Sequence, residues 1–255
     1  MKITIITVVR NNVYTITDAI ESVLRQKDVD LEYIVIDGNS TDGTLETLEP
    51  YRNQLAHLVS EPDQGIYPAM NKGLRLATGE VIGFLNSDDL YQDNQVLARI
   101  AATFRQHPDA QVVYGNLVYV DAADTGRVIR YWRSGPYRDG FFEAGHVPPH
   151  PAFFARRSVY QQFGRFNATF HLAADYEIML RLLRVNGVQS AFLDQVLVRM
   201  RLGGATNRYW KNIVRGNLEI ARAWKVNGLR VPWRLLPNRL VRKISQFVNR
   251  PGADD

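Results

Sequence analysis

Acidic residues in this sequence recur at the ends of short runs rich in β-forming residues. The run LEYIVI is followed by Asp37, and the run EVIGFLN leads directly into Ser87, Asp88 and Asp89. In an open parallel sheet, ligands bind beyond the carboxyl ends of the strands. Carboxylate oxygens there suit Mg²⁺ or Mn²⁺, ions that keep coordination positions open for phosphate groups. The pattern therefore predicts a divalent cation on Asp88 and Asp89, at an edge that binds a phosphate-bearing ligand.

The phosphate-binding turns of common nucleotide-binding folds are missing after the first predicted strand, residues 3–9. The chain continues there as RNN, which fits neither G-x-G-x-x-G nor G-x-x-x-x-G-K. Phosphates must therefore be held in another way, and a metal on the acidic pair is the candidate. The plain alternative is that Asp88 and Asp89 cap a helix beginning near Asp93.

A second pair of acids lies on a predicted helix, residues 173–185. Asp175 and Glu177 are about 200° apart on a helix, so only one of them can face a cleft. A carboxylate in such a cleft can remove a proton from a bound hydroxyl group. Glu177 is also spaced to pair with Arg181 at i+4. The plain alternative for Asp175 is a first-turn acid that the helix dipole favours.

Two histidines lie close to this helix in the sequence, and a glycine- and proline-rich stretch, residues 134–151, precedes it. His150 and His171 could each bind an acceptor or a metal ion. Single histidines are more often ordinary hydrogen-bonded residues, so both rank below Asp175. Long loops in compact domains are usually functional or mobile, which draws attention to the stretch before His150.

The elements that must position these residues alternate between strand and helix over the first ninety residues, as in βαβ units on a parallel sheet. The predicted strands are residues 3–9, 31–36, 55–60, 80–86, 112–120, 128–132, 152–155, 190–193 and 196–202. The predicted helices include residues 66–77, 94–106, 158–163 and 173–185, and two amphipathic helices end the chain. This order predicts an α/β fold.

Composition limits the class of protein further. With 255 residues, 45% of them hydrophobic, the chain can build the core of one large α/β domain or of two small ones. The absence of cysteine excludes a disulfide framework, a thiolate zinc site and a cysteine nucleophile. The apolar segment 3–9 is too short for a signal-peptide core, and no run of eighteen apolar residues occurs elsewhere. We expect a cytoplasmic protein without a membrane-spanning helix.

Basic residues are concentrated near the end of the chain. Residues 1–198 contain 18 Lys and Arg against 23 Asp and Glu, whereas residues 199–250 contain 13 against one acid, Glu219. Such a charge excess indicates an anionic partner. Nucleic acid is disfavoured because aromatic residues are not interleaved with the basic ones as in a groove-reading module.

The two final predicted helices are amphipathic. The last, residues 238–248, has an apolar side made of Leu240, Val241, Ile244, Phe247 and Val248. That pattern is typical of a helix lying on an anionic membrane surface. The preceding helix has an apolar stripe of Trp210, Ile213, Val214, Leu218, Ala221 and Trp224. Packing against the body of the protein is the alternative for both, and we favour it for this preceding helix.

Five segments in order resemble the inverting family 2 glycosyltransferases, over about residues 1–205. They are TIITVVRN, VIDGNSTDGT, SEPDQGIYPAMNKGLRLATGEVIGFLNSDDL, HPAFFARRSVYQQFGRFN and LAADYEIMLRL. The second is similar to the family's V-D-x-x-S-x-D-G-T motif, and the third resembles its donor-site segment. Within the third, GIY-x-AMNKG is similar to the colanic-acid and capsule-type branch. The last two resemble the family's acceptor side.

The resemblance implies a GT-A-type fold, with a Rossmann-like, mostly parallel mixed sheet flanked by helices, and it implies site residues. It assigns the general base to Asp175 rather than Glu177, and the metal-bound diphosphate to Asp88 and Asp89. The remaining nucleotide-site residues that it implies are Thr7, Val9, Arg10, Asp37, Asn71 and Lys72, with Asp88 also on the ribose. The plain alternatives are a buried strand residue for Thr7 and a cap of the Gly38-Asn39 turn for Asp37. Gly203 and Gly204 resemble a flexible segment near the donor phosphates.

Two positions depart from the family's pattern. Asn86 stands where many relatives have an acid, so the metal site carries one fewer negative charge. Met70 stands where many relatives have an arginine, and Lys72 is the nearby candidate to replace that charge. A solvated helix lysine is the plain alternative for Lys72.

The resemblance implies transfer of a sugar from a nucleotide diphosphate donor, UDP- or dTDP-linked, with Mn²⁺ or Mg²⁺. The expected acceptor is a hydroxyl group of a glycan or of a lipid-diphosphate-linked sugar, in cell-surface polysaccharide biosynthesis. The expected organisation is a catalytic domain, residues 1–205, followed by a basic helical extension, residues 206–255. A sugar nucleotidylyltransferase is the rival enzyme, but its G-x-G-T-R turn is missing. A non-catalytic protein that binds nucleotide sugar is the remaining alternative.

Overall fold

The computed structural model describes residues 1–203 and 210–248, apart from the side chains at 210, 211, 213 and 242–248. In this part of the chain the strands are β1 (Lys2–Val9), β2 (Asp30–Asp37), β3 (His57–Ser60), β4 (Val81–Phe84), β5 (Leu90–Tyr91), β6 (Val112–Val120), β7 (Val128–Trp132), β8 (Phe153–Arg156) and β9 (Ser190–Arg201). The helices are α1 (Ile16–Leu24), α2 (Thr44–Leu48), α3 (Ile66–Leu76), α4 (Val96–Gln106), α5 (Arg157–Phe163), α6 (Ala174–Met179), α7 (Trp210–Val226) and α8 (Leu235–Val248). Short 3₁₀ helices cover Glu49–Gln54 and His150–Ala152, and α6 continues as a π-helical segment, Leu180–Val185.

The strands form one mixed sheet in the order β3-β2-β1-β4-β8-β6-β9-β5, with β7 paired to β6. The first four strands of that order are parallel neighbours. β8 is antiparallel to both β4 and β6, and β6 runs parallel to β9. β5 and β7 are antiparallel to their neighbours. The predicted α/β fold, with a mixed sheet flanked by helices, is confirmed, and its parallel part is the half that contains β1 to β4.

Side chains of β1 alternate between two cores because successive residues of a strand point to opposite faces. Ile3 and Ile5 pack with α1 and α4 on one face, while Ile6 packs with α3 on the other. Helix α3 lies very close to the sheet at Gly73, where a Cβ atom would stand 2.5 Å from Ile6 Cγ2. The two layers together fix the strand ends at which the acidic residues lie.

β9 is one strand where the sequence predicts two. Its pairing register with β6 shifts around Gly115, so that the exposed residues Asp194 and Gln195 form an irregularity within the strand. Gly115 is needed here because a Cβ atom would lie 2.6 Å from Leu197 Cδ1. The polar pair Asp194-Gln195 interrupts the apolar pattern without ending the strand, which is why the pattern predicts a break.

Helix α7 packs against α6 through a different face from the one that the sequence pattern indicates. Its buried residues include Ile220 and Trp224, and Trp224 Nε1 donates to Tyr176 Oη at 2.9 Å. Val214 and Leu218 are 50% and 67% exposed. The helix thus packs on the body, and of the predicted stripe Trp224 takes part in that packing whereas Val214 and Leu218 do not.

Helix α8 has one side against the body and one side in solvent. Leu235 is fully buried, and Asn238 Nδ2 donates to the backbone oxygen of Glu143 at 3.3 Å. Leu240 and Val241 are more than half exposed. None of the helices, as far as their residues are described, is long and apolar enough to cross a membrane.

Candidate active site

The loops after β1, β2 and β4 meet at one edge of the sheet and are hydrogen-bonded to one another. Asn12 Nδ2 donates to Ser87 Oγ at 2.9 Å, and its backbone N–H donates to Thr44 Oγ1 at 2.9 Å. The backbone N–H of Asn11 donates to Ser40 Oγ at 2.8 Å. These bonds join three loops into one rigid edge. Sequence reasoning missed this role of Asn12 in joining the loops. The one feature of the sequence that could have indicated it is the polar run RNN after β1.

Asp37 ends β2 with a fully buried carboxylate that the neighbouring serines hold. It accepts hydrogen bonds from the backbone N–H and hydroxyl of Ser40 and, at 2.6 Å, from the hydroxyl of Ser60. Arg10 is exposed, and its aliphatic carbons lie against Gly38 directly after Asp37. Of these two predicted nucleotide-site residues, Arg10 presents a free surface and Asp37 stabilises the turn beneath it.

Thr7 and Val9 are core residues of β1. The hydroxyl oxygens of Thr7 and Tyr33 are 3.0 Å apart and hydrogen-bonded, and the Thr7 side chain has no exposed surface. Val9 is 5% exposed, and its carbonyl accepts a hydrogen bond from the backbone N–H of Gly38 at 2.8 Å. Thr7 thus matches a buried strand residue, and its contact with a nucleotide gains no support from the structure.

Asn71 and Lys72 on α3 make contacts within the protein. Both ends of the Asn71 amide bond the backbone of Phe166, with Nδ2 donating at 2.8 Å and Oδ1 accepting at 3.1 Å. Lys72 Nζ pairs with Glu61 at 2.7 Å and with Asp63 at 2.6 Å. Asn71 therefore joins α3 to the segment before α6, and the charge of Lys72 is neutralised. Neither contact supports the nucleotide-binding role of these residues, which stays a prediction.

The acidic turn, Asp88-Asp89, follows β4 and places its two carboxylates in different surroundings. Asp88 is half-buried, and its carboxylate accepts no hydrogen bond from any other described residue. Asp89 is fully buried and accepts hydrogen bonds from Asn86 Nδ2 at 2.7 Å and from the backbone N–H of Arg201 at 3.2 Å. Asp89 is therefore a structural support. Metal ligation by both residues stays a prediction, and of the two carboxylates that of Asp88 is the one open to a ligand.

Arg201, at the end of β9, holds the acidic turn from the other side. Its guanidinium donates to the backbone oxygen of Asp88 at 2.9 Å and pairs with Asp18 on α1. Burial raises the pKa of Asp88, and burial together with the Asp88 charge raises the pKa of Asp89 far above its usual value. Sequence reasoning missed Arg201, which is separated from Asp89 by 112 positions.

A divalent cation fits beside Asp88 by the chemistry of the donor atoms. No group of three or more His, Asp or Glu side chains among the described residues could hold an ion alone. Magnesium is, however, usually bound by one or two carboxylates together with substrate phosphates. Asp88 and a bound diphosphate provide that set. A cation would also offset the cost of ionising a half-buried carboxylate next to Asp89.

Asp175 on α6 borders the same region as the acidic turn. Tyr67 Oη on α3 donates to Asp175 Oδ1 at 3.1 Å. Burial raises the pKa of Tyr119 on β6, and the charges of both Asp89 and Asp175 add to that rise. Tyr119 is thus within electrostatic range of both carboxylates. A carboxylate held by one hydrogen bond and otherwise open can accept a proton from a bound hydroxyl.

His150 lies near Asp175 and has two buried ring nitrogens without a hydrogen-bond partner in the described parts of the chain. Its ring packs at centroid distances of 5.3 Å from Phe84 and 5.6 Å from Phe166. Burial lowers the pKa of His150, and the Asp175 charge opposes this effect. Burial therefore favours the neutral imidazole. It is not an ordinary hydrogen-bonded histidine, so it stays a candidate acceptor-side residue.

Glu177 and His171 do not contribute side chains to this region. Glu177 is 3% exposed and pairs with Arg181 Nε at 2.9 Å, as the i+4 spacing predicts, while Asn227 Nδ2 donates to it at 3.0 Å. His171 is exposed, and its backbone N–H is bonded to Glu219. The structure thus separates the two helix acids as expected, with Asp175 on the open side.

Glu219 on α7 fixes the segment that leads into α6. Its buried carboxylate accepts the backbone N–H groups of His171, Leu172 and Ala173 at 3.0, 2.7 and 3.0 Å. These donors precede the first turn of α6, which carries Asp175. In the sequence, Glu219 is the single acid among the basic residues 199–250. A lone acid in such a segment could have indicated that its carboxylate binds a particular partner.

We expect Glu219→Gln to lower kcat about tenfold with donor affinity unchanged, because one amide oxygen cannot replace three charge-assisted acceptor contacts. The free energy of unfolding should fall by about 1–3 kcal/mol. Steady-state kinetics and chemical denaturation check both. Glu49→Gln is the matched control, since Glu49 pairs with Arg52 on the surface. A stability loss with unchanged kcat would remove the positioning role.

The two glycines predicted near the donor phosphates follow β9. Gly203 is exposed at φ 109°, and a Cβ atom there would meet nothing within 4 Å. Gly204 lies outside the described residues. The structure places Gly203 two residues beyond Arg201, so this segment begins beside the acidic turn.

An open α/β sheet with an acidic turn after β4 and a separate carboxylate on a neighbouring helix is the arrangement of a glycosyltransferase of the GT-A fold. The chain belongs to glycosyl transferase family 2, whose family model matches residues 4–164.

Similar proteins agree with this assignment. The chain is 29% identical over 198 residues to a PGL/p-HBAD biosynthesis glycosyltransferase of Mycobacterium bovis (strain BCG / Pasteur 1173P2), covering 74% of this chain and 72% of that protein. S. aureus TarS 1-349 in complex with UDP has a TM-score of 0.66 at 20% identity, covering 96% of this chain and 72% of that one. The mannosyltransferase PcManGT from Pyrobaculum calidifontis, in complex with GDP-Man and Mn2+, has a TM-score of 0.64 at 19% identity, covering 98% and 76%. The two structures share the fold.

Proposed function

We propose that this glycosyltransferase moves a sugar, with inversion at the anomeric carbon, from a nucleoside diphosphate donor to a hydroxyl group of a glycan or lipid-linked acceptor. The observation that carries the proposal is the hydrogen bond from Tyr67 to Asp175, together with the position of Tyr119 within electrostatic range of both Asp175 and Asp89 of the acidic turn. The Asp88 carboxylate is suited to the diphosphate of the donor, and the Asp175 carboxylate to the hydroxyl of the acceptor. The UDP and GDP-Man in the two solved neighbours support a nucleoside diphosphate donor.

In the proposed reaction, Asp175 accepts the proton of the acceptor hydroxyl as its oxygen bonds to the anomeric carbon. The bond from that carbon to the donor diphosphate breaks, and the diphosphate leaves with the bonding electron pair. The Tyr67 hydroxyl holds Asp175 in one orientation. A single base suffices for one displacement, so the configuration at the anomeric carbon inverts.

Asp88 is the residue proposed to hold Mn²⁺ or Mg²⁺, and a bound ion would neutralise charge on the leaving diphosphate. Arg201 and Asn86 keep the acidic turn in shape through the Asp88 carbonyl and the Asp89 carboxylate. Arg10, exposed after β1, is the remaining proposed contact for the nucleotide. A UDP- or dTDP-sugar is the favoured donor. The resemblance to the colanic-acid and capsule-type branch supports a role in cell-surface polysaccharide biosynthesis.

The donor proposal is tested by a thermal-shift series with UDP-, dTDP- and GDP-sugars, each with Mn²⁺ and with EDTA. A ligand that binds only the folded state raises the unfolding temperature by mass action. We expect stabilisation by one nucleotide class in Mn²⁺ and a smaller shift in EDTA. The absence of a shift with every sugar nucleotide would contradict the proposed donor.

We also propose that α8 attaches the protein to the cytoplasmic face of an anionic membrane. The exposed apolar residues of α8 and of the turn before it are Trp233, Leu236, Leu240 and Val241, with exposed fractions of 80%, 45%, 62% and 64%. The exposed Arg234 lies over the Trp233 ring at 4.4 Å. Aromatic and aliphatic side chains beside arginine suit a lipid surface with negative headgroups. The proposed catalytic domain, residues 1–205, would thus be held at the membrane by the extension 206–255.

We expect the double variant Trp233→Ser/Leu240→Ser to sediment much less with phosphatidylglycerol vesicles than the unmodified protein, because it removes apolar area without touching the buried Leu235. Donor binding should not change. The double variant Val214→Ser/Leu218→Ser is the matched control, since it removes exposed apolar residues from α7. Equal sedimentation of the α8 variant and the unmodified protein would contradict the membrane proposal.

A further inference from the structure

The inner side of α8 brings one arginine, Arg239, to the region of Asp175. The helix is fixed on the body by the buried Leu235 and by the bond from Asn238 to the carbonyl of Glu143. Gly145 lies directly beneath, where a Cβ atom would come within 2.8 Å of the backbone nitrogen of Arg239. The backbone of α8 therefore lies close against this loop at Arg239.

The guanidinium of Arg239 packs on an aromatic ring instead of pairing with an acid. Its central carbon lies 5.1 Å from the centroid of the Tyr176 ring, and Tyr176 follows Asp175 in α6. Among the described residues, Arg239 forms no ion pair and no side-chain hydrogen bond. The nearby Arg181 and Arg184 differ, because they pair with Glu177 and Glu143.

A partly buried charge without a counter-charge is costly, and the surroundings of Arg239 show that cost. Burial lowers the pKa of Arg239, and the nearby Tyr176 and Asp175 oppose that effect without pairing with the guanidinium. Most such groups in proteins are paired. A guanidinium offers a planar fork of N–H donors that matches two oxygens of a phosphate group. The missing partner is therefore expected to be an anion of that shape.

The position of Arg239 indicates which substrate brings the anion. The donor diphosphate is proposed to lie at Asp88, after β4, whereas Arg239 lies beside the α6 carboxylate that would deprotonate the acceptor. On the outer side of the same helix, Leu236 and Leu240 are exposed. One helix thus offers a cation toward the acceptor side and apolar side chains toward the outside, which fits a substrate with a phosphate group and a lipid chain.

We propose that Arg239 binds the diphosphate of a lipid-diphosphate-linked acceptor and so selects phosphate-bearing acceptors. The proposal rests on the proposed sugar transfer with Asp175 as base. It assigns α8 a part in substrate binding in addition to its part at the membrane.

The test uses farnesyl diphosphate as the probe, titrated by calorimetry into the full-length protein in EDTA, so that no metal can bind the diphosphate. We expect the unmodified protein to bind farnesyl diphosphate and not farnesol, and Arg239→Met to bind it at least tenfold more weakly. Arg239→Lys should bind with intermediate affinity, because it keeps the charge and loses the fork. Arg234→Met is the matched control from the exposed side of the segment and should bind like the unmodified protein.

Three readouts separate this proposal from the others. UDP binding in Mn²⁺ should be equal in Arg239→Met and the unmodified protein, and Asp88→Asn should keep its affinity for farnesyl diphosphate in EDTA. Sedimentation of Arg239→Met with phosphatidylglycerol vesicles should be unchanged, which distinguishes a substrate diphosphate from lipid headgroups. Equal farnesyl diphosphate affinity in Arg239→Met and the unmodified protein, or equal loss in Arg234→Met, would overturn the inference. If the unmodified protein does not bind UDP in Mn²⁺, that result would instead contradict the proposed function.

Discussion

Replacement of Asp175 by asparagine is expected to slow sugar transfer about 10²–10⁴-fold and to leave donor affinity unchanged. Asparagine keeps the size of the side chain and can still accept the hydrogen bond from Tyr67. It cannot take the proton of an acceptor hydroxyl. Donor affinity from calorimetry and transfer rate from product formation, measured on the same preparation, separate the two effects.

Glu177→Gln is the matched control, because Glu177 is the other acid of the same helix turn. Its carboxylate is buried against Arg181 and Asn227, so the variant should lose stability by leaving a buried arginine without its full partner. The rate per folded molecule should change much less than in Asp175→Asn. If Glu177→Gln is inactive while Asp175→Asn is active, the general base has been assigned to the wrong acid of the helix.

Asp88→Asn is expected to lower turnover at least about a hundredfold, and EDTA should have an effect of the same size on the unmodified protein. The half-buried Asp88 makes no hydrogen bond to another described residue, so the variant should keep its thermal stability. Asp93→Asn is the control. Asp93 lies in the segment before α4 and pairs with Arg99 of that helix. Activity, Mn²⁺ titration and unfolding temperature are the measurements. Full activity in EDTA would contradict the metal assignment.

Asp89 must be tested separately from Asp88, although the two are adjacent. Removal of its buried carboxylate in Asp89→Ala leaves the Asn86 amide and the Arg201 backbone N–H without an acceptor. Such losses cost about 1–3 kcal/mol each. Asp89→Ala should therefore lose activity together with stability. Loss of activity at full stability would restore Asp89 as a direct ligand.

The sequence predicts the framework of the fold well because apolar periodicity follows burial. The structure has β1 at Lys2–Val9 and α3 at Ile66–Leu76, and the sequence predicts residues 3–9 and 66–77. The i+4 pair of Glu177 and Arg181 is equally local, and it is confirmed. Where polar residues interrupt the periodicity without ending the strand, as at Asp194, the prediction of two strands fails.

Side-chain roles are harder to predict, because the partner of a polar residue is often distant in the chain. The Asn71 amide bonds Phe166, separated from it by 95 positions, and Glu219 binds N–H groups 46 to 48 positions away. The position of Asn71 in the sequence motif suggests a contact with a ligand. Its hydrogen bonds to the Phe166 backbone show instead that it joins two parts of the protein. The same holds for Thr7, whose hydroxyl faces Tyr33 on the neighbouring strand.

The central claim is single-displacement transfer from a nucleotide sugar, and the anomeric configuration of the product tests it most directly. The donor found by thermal shift is incubated with Mn²⁺ and a lipid-diphosphate-linked sugar, and the new linkage is read by NMR from the coupling constant of its anomeric proton. We predict acceptor-dependent release of the nucleoside diphosphate and a linkage of inverted configuration, both lost in Asp175→Asn. A product that retains the donor configuration would contradict the account.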